Sequence, residues 1–314
     1  MRIGTRGSKL ARWQANHVAA RLVAAGHEVT IDVIETEGDA PSDGPVRLTG
    51  DDGQFTRALD AAVLDGRVDL AVHALEDLPA TLSEGLALAA VSARATPWDA
   101  FVAHPDFEGR LAGLPAGATL AVSSLRQQAQ LRAWRSDLRI VPVRGPVAAR
   151  LQRLRESGML GDGGWHGIVL AEVALRQLAL DSAIRDVFAP SIVLPGAGQG
   201  ALGVVCLASN TKARTLLVRL LDDDATRITT EAERAFRQHV SDGGKAAVGA
   251  YARLETGSVF VIDGVVADAD GTRVFRGGQK GTPSQAQDLA RALAGELLAR
   301  GGREVLNATR TDEV

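Results

Sequence analysis

Residues 2–26 read RIGTRGSKLARWQANHVAARLVAAG, and this stretch decides the class of fold. Arg2–Thr5 has the pattern of a short strand. Ser8 is a residue type that caps helices, the apolar residues after it recur on one helical face, and Gly26 stands where such a helix ends. A strand that leads directly into an amphipathic helix is the repeating unit of α/β sheet proteins.

The same alternation continues along the chain. Strands are predicted at 29–36, 68–75, 119–122, 139–143 and 167–171. Helices are predicted at 55–64 and 147–157, and a third, capped by Ser123 or Ser124, runs to Trp134. The run 192–208 predicts two further strands, which we expect to return to the first domain. Beyond this run, two helices are predicted at 212–221 and 228–239, then three strands at 250–255, 258–267 and 272–276, and a helix at 283–300. This last part predicts a three-stranded antiparallel sheet with a helix on one face.

We therefore predict two α/β domains with mainly parallel sheets and a small α+β C-terminal domain. A chain of 314 residues is too long for one ordinary core. The predicted bounds are 1–95 plus 193–211 for domain 1, 96–192 for domain 2 and 212–314 for domain 3.

The composition is that of a soluble protein whose partner is a small molecule. A net charge of −3 gives no reason to expect nucleic acid or a membrane as partner, and no run approaches the roughly 18 apolar residues that span a bilayer. The single cysteine, Cys206, fits a reducing compartment and is interpreted as a buried core residue. No His, Cys, Asp or Glu cluster has the spacing of metal ligands. We expect a cytoplasmic monomer.

Arginines and hydroxyl residues gather where predicted strands end and helices begin. They are Arg6, Ser8, Ser123, Ser124, Arg126, Arg144 and Arg150. Ligands of open α/β sheets bind at the carboxyl ends of strands, and guanidinium groups match carboxylates, so the set predicts a ligand with several carboxylates. Each arginine taken singly is also explained by a surface ion pair. Arg126 opposes the dipole of its helix, which predicts a negative partner.

Two carboxylates follow the predicted strand 68–75, in the run His73-Ala74-Leu75-Glu76-Asp77-Leu78-Pro79. A carboxylate there can stabilise a developing cation or accept a proton. The alternative is a polar strand terminus at the surface. His73 lies in an apolar strand and is interpreted as a hydrogen-bonded structural residue.

Five stretches together resemble the porphobilinogen deaminase (hydroxymethylbilane synthase) family. In family order they are 4–15, 65–73, 123–126, 194–201 and 233–236. The resemblance implies two domains like those of type II periplasmic binding proteins, a third small domain, and an active site between the first two. It also implies deamination of porphobilinogen and assembly of four pyrrole units on a dipyrromethane cofactor, which a cysteine thioether holds.

The resemblance assigns roles to individual residues. Asp77 matches the catalytic aspartate that handles the pyrrole N–H and the cationic azafulvene. The matches to arginines that bind acetate and propionate groups are Arg6, Arg126, Arg144 and Arg150.

Several departures lie at the same predicted site. Lys245 follows Gly243 and Gly244 where the family has its cofactor-bearing cysteine, and Glu76 replaces a lysine beside Asp77. The remaining changes are Asp51 and Asp52 in a basic loop, Gln127 and Gln177 for arginines, and Pro146 for asparagine. Arg176 is an alternative match for the second of these arginines. One reversed charge ~4 Å from a ligand carboxylate changes the interaction by several kcal/mol, so we expect a smaller or less acidic ligand than the family's.

Three interpretations of function remain open. We expect an enzyme that acts on porphobilinogen or a related small pyrrole carboxylate. We expect it to carry no cofactor, because the attachment cysteine is absent. The alternatives are a non-catalytic protein that binds pyrroles or carboxylates, and an ordinary hydroxymethylbilane synthase. Lys245 is a further candidate for attachment, although an amine of reference pKa ~10.4 offers about a hundredfold less free nucleophile than a thiol of ~8.5. The simpler interpretation of Lys245 is a loop lysine near a carboxylate or solvent.

Overall fold

The structure is a computed structural model that describes residues 1–36, 38, 53–158, 163–240, 247–256 and 258–306. The predictions for Lys245 and its two preceding glycines, and for Asp51 and Asp52, lie outside these residues. Within the described ranges, no helix has both the length and the apolar composition needed to cross a bilayer.

Strands and helices alternate as the sequence pattern indicates. The strands are β1 (Arg2–Thr5), β2 (Thr30–Val33), β3 (Leu70–Ala74), β4 (Leu86–Val91), β5 (Asp99–Ala103), β6 (Thr119–Val122), β7 (Arg139–Pro142), β8 (Gly167–Ala171), β9 (Asp186–Val187), β10 (Leu202–Leu207), β11 (Ala247–Glu255), β12 (Val259–Ala267) and β13 (Val274–Gly281). The α-helices are α1 (Lys9–Ala24), α2 (Arg57–Leu64), α3 (Leu125–Trp134), α4 (Val147–Glu156), α5 (Glu172–Gln177), α6 (Thr211–Leu221), α7 (Asp224–Val240) and α8 (Ala286–Leu297).

The first sheet has the order β2-β1-β3-β10-β4. β1 pairs in parallel with β2 and β3, whereas β10 runs antiparallel to β3 and β4. Alternate residues of β3 face opposite sides, so Leu70 packs in one core with α1 and α6, and Ala71 in a second core with α2. Two of the four pairings are parallel and two are antiparallel, so the sheet is mixed and not mainly parallel, whereas the predicted α/β class with helices on both faces is confirmed.

The second sheet has the order β7-β6-β8-β5-β9. β6 pairs in parallel with β7 and β8, and β5 runs antiparallel to β8 and β9. Leu131 of α3 joins the core on one face, and Leu151 and Leu154 of α4 join the core on the other. Leu175 of α5 joins the same core as α4, so helices cover both faces of the sheet.

The third sheet, β11-β12-β13, is antiparallel throughout. α8 packs on β12 and β13, and the fully buried ring of Phe236 on α7 lies against Gly264. A Cβ atom at Gly264 would stand 2.6 Å from that ring, so only glycine fits this position of β12. The separate antiparallel sheet predicted for the last part of the chain is confirmed.

The described residues form two compact units. The first contains 1–36, 38, 53–96 and 198–228, and the second contains the remaining described ranges, including the second and third sheets. The division into three domains stays a prediction. The packing of α6 differs from the predicted boundary. Leu217 of α6 lies in the core of the first sheet, whereas the predicted domain 3 already begins at 212.

Some predicted elements differ from those observed. β4, β5 and β9 were not predicted from the sequence. Of the two strands expected in 192–208 only β10 forms. Before it, the N–H and carbonyl of Leu194 bond to the Gln130 and Arg126 side chains. The Pro195 carbonyl accepts from a strand, at the Ala250 N–H of β11. α7 begins four residues earlier than the predicted start at Ile228.

Candidate functional site

The turn between β1 and α1 places Arg6 and Ser8 at the carboxyl edge of the first sheet. Ser8 is the N-cap of α1, and its Oγ accepts a hydrogen bond from the Ala11 N–H at 3.2 Å. The buried Thr5 hydroxyl donates to the Ala11 carbonyl at 3.0 Å. These two bonds fix the strand-to-helix turn that carries Arg6.

Asp77 ends a single turn of 3-10 helix, Leu75–Asp77, directly after β3. Leu75 and Leu78 are completely buried on either side of it. The Leu75 N–H donates to the Ala201 carbonyl at 2.9 Å, and Gly198 (φ +82°) approaches so closely that a Cβ there would lie 2.8 Å from Leu75 Cγ. These contacts hold the turn while the Asp77 side chain keeps 34% of its surface exposed.

Arg6 and Asp77 meet because β1 and β3 are adjacent parallel strands, whose carboxyl ends share one edge. Arg6 Nη1 lies 3.8 Å from Asp77 Oδ2. The Arg6 guanidinium also lies over the Phe55 ring, with Cζ 3.9 Å from the ring centre. Phe55 thereby sets the plane of the guanidinium, through a cation–π contact. The structure brings these predicted residues together as an ion pair stacked on an aromatic ring.

His73 lies beside this pair. The β1–β3 register matches Gly4 with Ala71, and continuing it by two residues puts Arg6 opposite His73. The side chain of His73 is buried, and its Nε2 has no hydrogen-bond partner among the described residues. Burial, followed by the nearby Arg6 charge, lowers the pKa of His73 to about 4, so the imidazole is neutral at pH 7.

In the second unit, Ser123 and Ser124 stand between β6 and α3. Ser124 is the N-cap, and its Oγ accepts from the Gln127 N–H at 3.2 Å. The Ser123 N–H donates to Gln127 Oε1 at 3.0 Å. The predicted strand, hydroxyl cap and helix are observed here as at Ser8.

Arg126 is a buried ion-pair residue. Its Nη1 donates to Asp99 Oδ2 at 2.7 Å and to the Leu194 carbonyl at 2.8 Å, and its Nη2 donates to Asp99 Oδ1 at 3.2 Å. Gln127 Nε2 completes the set by donating to the same Asp99 Oδ1 at 2.7 Å. The negative partner expected for Arg126 is therefore Asp99. The contact between Arg126 and a ligand stays a prediction.

Gln130, one turn after Arg126, binds the same backbone segment. Its Oε1 accepts from the Leu194 N–H at 2.8 Å and its Nε2 donates to the Leu194 carbonyl at 3.1 Å. Arg276 of β13 donates to Gln130 Oε1 at 2.6 Å and to the Ile192 carbonyl at 2.9 Å. Side chains from α3 and β13 thus hold the segment that precedes β10.

Arg144 and Arg150 belong to the turn between β7 and α4, at the edge where β6 also ends. Arg150 Nε donates to the Gly145 carbonyl, and Arg153 Nη1 donates to the Arg144 carbonyl at 3.2 Å. Both side chains are partly exposed. They lie in the same unit as Ser123, Ser124 and Arg126, whereas Arg6, Ser8 and Asp77 belong to the other unit.

Sequence reasoning missed the contributions of Phe55, Asp99 and Gln130. Asp99 opens an apolar strand, and that unusual carboxylate was the signal available for it. The local sequence around Phe55 and Gln130 gave no indication of their roles, because each contacts a residue far away in the chain. In the described part of the molecule, no group of three or more His, Cys, Asp or Glu side chains is placed to hold a metal ion.

A thioether to cysteine does not fit this chain. Cys206 is its single cysteine and lies completely buried on β10, between β3 and β4. Burial also raises the pKa of the thiol. A cofactor could reach this sulfur only if the first sheet opened, so Cys206 is not an attachment residue.

Comparison with known proteins gives a consistent result. Residues 1–215 match the family model described as "Porphobilinogen deaminase, dipyromethane cofactor binding domain". The porphobilinogen deaminase of Roseiflexus sp. (strain RS-1) is 44% identical over 306 residues, covering 97% of each chain. That of Syntrophomonas wolfei is 36% identical over 312 residues, covering 99% of each chain.

Solved structures of binding proteins are similar at lower identity. The methionine-binding protein MetQ covers 77% of this chain with a TM-score of 0.43 and 13% identity, and 95% of that protein is matched. A periplasmic substrate-binding protein of an ABC transporter from Coxiella burnetii covers 72% with a TM-score of 0.42 and 16% identity, and 94% of it is matched.

The expectation that no cofactor is used is wrong for the family to which these matches point. The matching model is itself described as a dipyromethane cofactor binding domain, and it covers the first two thirds of the chain. The absence of the cysteine therefore bears on how the cofactor is held rather than on whether the family uses one. With relatives of 36% and 44% identity along nearly their whole length, the chain belongs to the porphobilinogen deaminase family.

Proposed function

We propose that this chain is an enzyme of the porphobilinogen deaminase type that acts on porphobilinogen or a related small pyrrole carboxylate, with Asp77 as its catalytic carboxylate. The observation that carries the proposal is the Arg6–Asp77 pair, 3.8 Å apart at the carboxyl edge of the first sheet. The full-length relatives are named porphobilinogen deaminase, which supports the same type of reaction.

The pair has the chemistry that such a ligand needs. A guanidinium whose face rests on Phe55 presents its N–H edge to a carboxylate, and a bidentate contact of this kind is among the stronger polar interactions. The Asp77 carboxylate accepts a hydrogen bond from the pyrrole N–H and stabilises the positive charge that develops as ammonia leaves. Since the two groups are neighbours, one ligand with a carboxylate near a ring N–H engages both.

The charge around Asp77 favours a small ligand. Glu76 stands next to Asp77 in the same 3-10 turn, where the family pattern has a lysine. In the second unit the charge of Arg126 is balanced by Asp99 at 2.7 Å. Fewer positive charges remain for a ligand with many carboxylates than the sequence pattern of the family supplies.

The dipyrromethane of the family supplies a covalent primer when it is bound. Our proposal excludes a thioether to cysteine in this chain, because Cys206 is buried in the first sheet. The predicted carboxylate-binding residues for such a group are Arg6, Arg126, Arg144 and Arg150. Of these four arginines, Arg6 is the one paired with Asp77, with Nη1 3.8 Å from Oδ2.

Ammonia release from porphobilinogen tests the proposal. Asp77→Asn is expected to lower the rate at least ~100-fold while retaining binding, since the amide keeps the shape but not the charge. Asp69→Asn is the matched control, because Asp69 pairs with Arg2 at the amino end of β3. If wild type and Asp77→Asn both bind porphobilinogen and neither releases ammonia, the non-catalytic binding protein replaces our proposal.

Intact-protein mass spectrometry separates the remaining alternative. A mass increase equal to one dipyrromethane, mapped to a residue by peptide analysis, shows where any attachment lies, and Lys245→Ala checks the lysine directly. Formation of hydroxymethylbilane from porphobilinogen would identify an ordinary hydroxymethylbilane synthase. The cytoplasmic location, the monomeric state and the ligand contacts of Ser8, Ser123 and Ser124 stay predictions.

A further inference from the structure

His73 is a buried polar side chain on β3, the strand that leads to Asp77, and the Arg6–Asp77 pair does not account for it. Gly4 and Ala71 are register partners, and a Cβ at Gly4 would point toward Leu59 of α2, 3.2 Å away. Side chains two residues further on point to the same face, so Arg6 and His73 both lie on the α2 side of the sheet.

The unpartnered Nε2 of His73 lowers the stability of the folded protein. A buried polar atom without a hydrogen bond loses its hydration and gains nothing in return, which is why such atoms are rare. Protonation does not relieve it, because burial and, after it, the nearby charge of Arg6 both disfavour the imidazolium form. The neutral ring therefore offers one N–H and one lone pair from its two nitrogens.

We propose that Nε2 of His73 is a ligand contact, donating a hydrogen bond to the carboxylate that Arg6 binds. The inference rests on the proposed function and adds one residue to the recognition of a pyrrole carboxylate. It explains why a polar side chain occupies an otherwise apolar strand, and why Nε2 lacks a partner among the described residues.

His104 provides a matched comparison in the second unit. It is also 4% exposed with an unpartnered Nε2, and its Nδ1 accepts from the Asp106 N–H at 3.1 Å. His104 therefore shares the buried, unpartnered nitrogen but belongs to the unit that does not contain Arg6 and Asp77. His104→Asn preserves the acceptor near the Nδ1 position and removes Nε2.

The experiment measures thermal unfolding and porphobilinogen affinity for wild type, His73→Leu, His73→Gln and His104→Asn. We expect His73→Leu to unfold at a higher temperature without ligand, since an apolar side chain removes the unpartnered atom, yet to bind porphobilinogen ~3- to 10-fold more weakly. His73→Gln, whose amide can donate from a similar position, should stay within ~3-fold of wild type. His104→Asn should leave the affinity unchanged.

Unchanged affinity in His73→Leu would overturn the inference and leave the proposed function intact. If His73→Leu does not fold, the comparison of His73→Gln with His73→Asn decides, because only glutamine reaches the position of Nε2. Equal affinity of these two variants also overturns it. Failure of wild type to bind porphobilinogen would overturn both this inference and the proposed function.

Discussion

Asp99 and Arg126 form a bidentate ion pair inside the second unit, with Nη1 2.7 Å from Oδ2 and Nη2 3.2 Å from Oδ1. Both side chains are almost fully buried. Because each charge compensates the other, the pair has a structural role that does not depend on a ligand. Removing one partner would leave an uncompensated charge in the interior.

Asp99→Ala should lower the free energy of unfolding by about 3–5 kcal/mol, because it leaves the Arg126 guanidinium buried without its counterion. Urea denaturation measures this difference. The control is Asp288→Ala, which removes an exposed pair with Arg291 and should change stability by less than ~1 kcal/mol. Equal losses in the two variants would contradict the structural role of Asp99.

Arg6→Lys should weaken porphobilinogen binding by about tenfold although the charge is kept. Lysine lacks the planar fork that matches a carboxylate and the flat face that rests on Phe55. Isothermal titration calorimetry measures the Kd. Arg2→Lys, which alters the exposed pair with Asp69, serves as control, and wild-type affinity in Arg6→Lys would count against a binding role for Arg6.

The pH dependence of stability should carry a contribution from His73. Its pKa is about 4 in the folded protein and near 6.5 when unfolded, so protons bind the unfolded chain preferentially between these values. Stability should therefore fall as the pH drops from 6.5 to 4, by ~3 kcal/mol from this group. Denaturation at pH 7 and pH 4.5 should show a smaller loss for His73→Gln than for wild type. The same loss in both would mean that His73 is not buried and neutral.

Gln130→Leu should lower the free energy of unfolding although the two side chains are similar in size. It leaves the Leu194 N–H without its Gln130 acceptor, and an unsatisfied buried donor costs about 1–3 kcal/mol. Arg276 also loses one acceptor. Urea denaturation should distinguish this variant from Gln152→Leu, which removes only an exposed bond to Glu156. Similar stability of the two variants would be inconsistent with the role of Gln130.

Local signals predicted much of the fold. β1, β6 and β8 have the predicted bounds, and the Ser8 cap lies where its hydroxyl was expected. β4 was missed because an alanine-rich apolar run does not distinguish strand from helix. Its pairing with β10, more than a hundred residues later, decides its conformation. Such pairing is not encoded in a short window of sequence.

The candidate site was predicted only in part, because some of its contacts also join residues that are far apart in the chain. Arg6 and Asp77 each follow a strand, so their shared sheet edge could be inferred from the pattern alone. The partner of Arg126 could not, because Asp99 is 27 residues away and belongs to a strand that was not predicted. His73 was interpreted as a hydrogen-bonded structural residue, yet its Nε2 lacks a partner among the described residues.

The burial of Cys206 has a practical consequence for work on this protein. The chain contains no second cysteine, and burial raises the pKa of this thiol. Alkylating reagents and spin labels should therefore spare the folded wild-type protein. A cysteine introduced at any exposed position would be the single reactive thiol, so spectroscopic probes can be attached one at a time without first replacing a native residue.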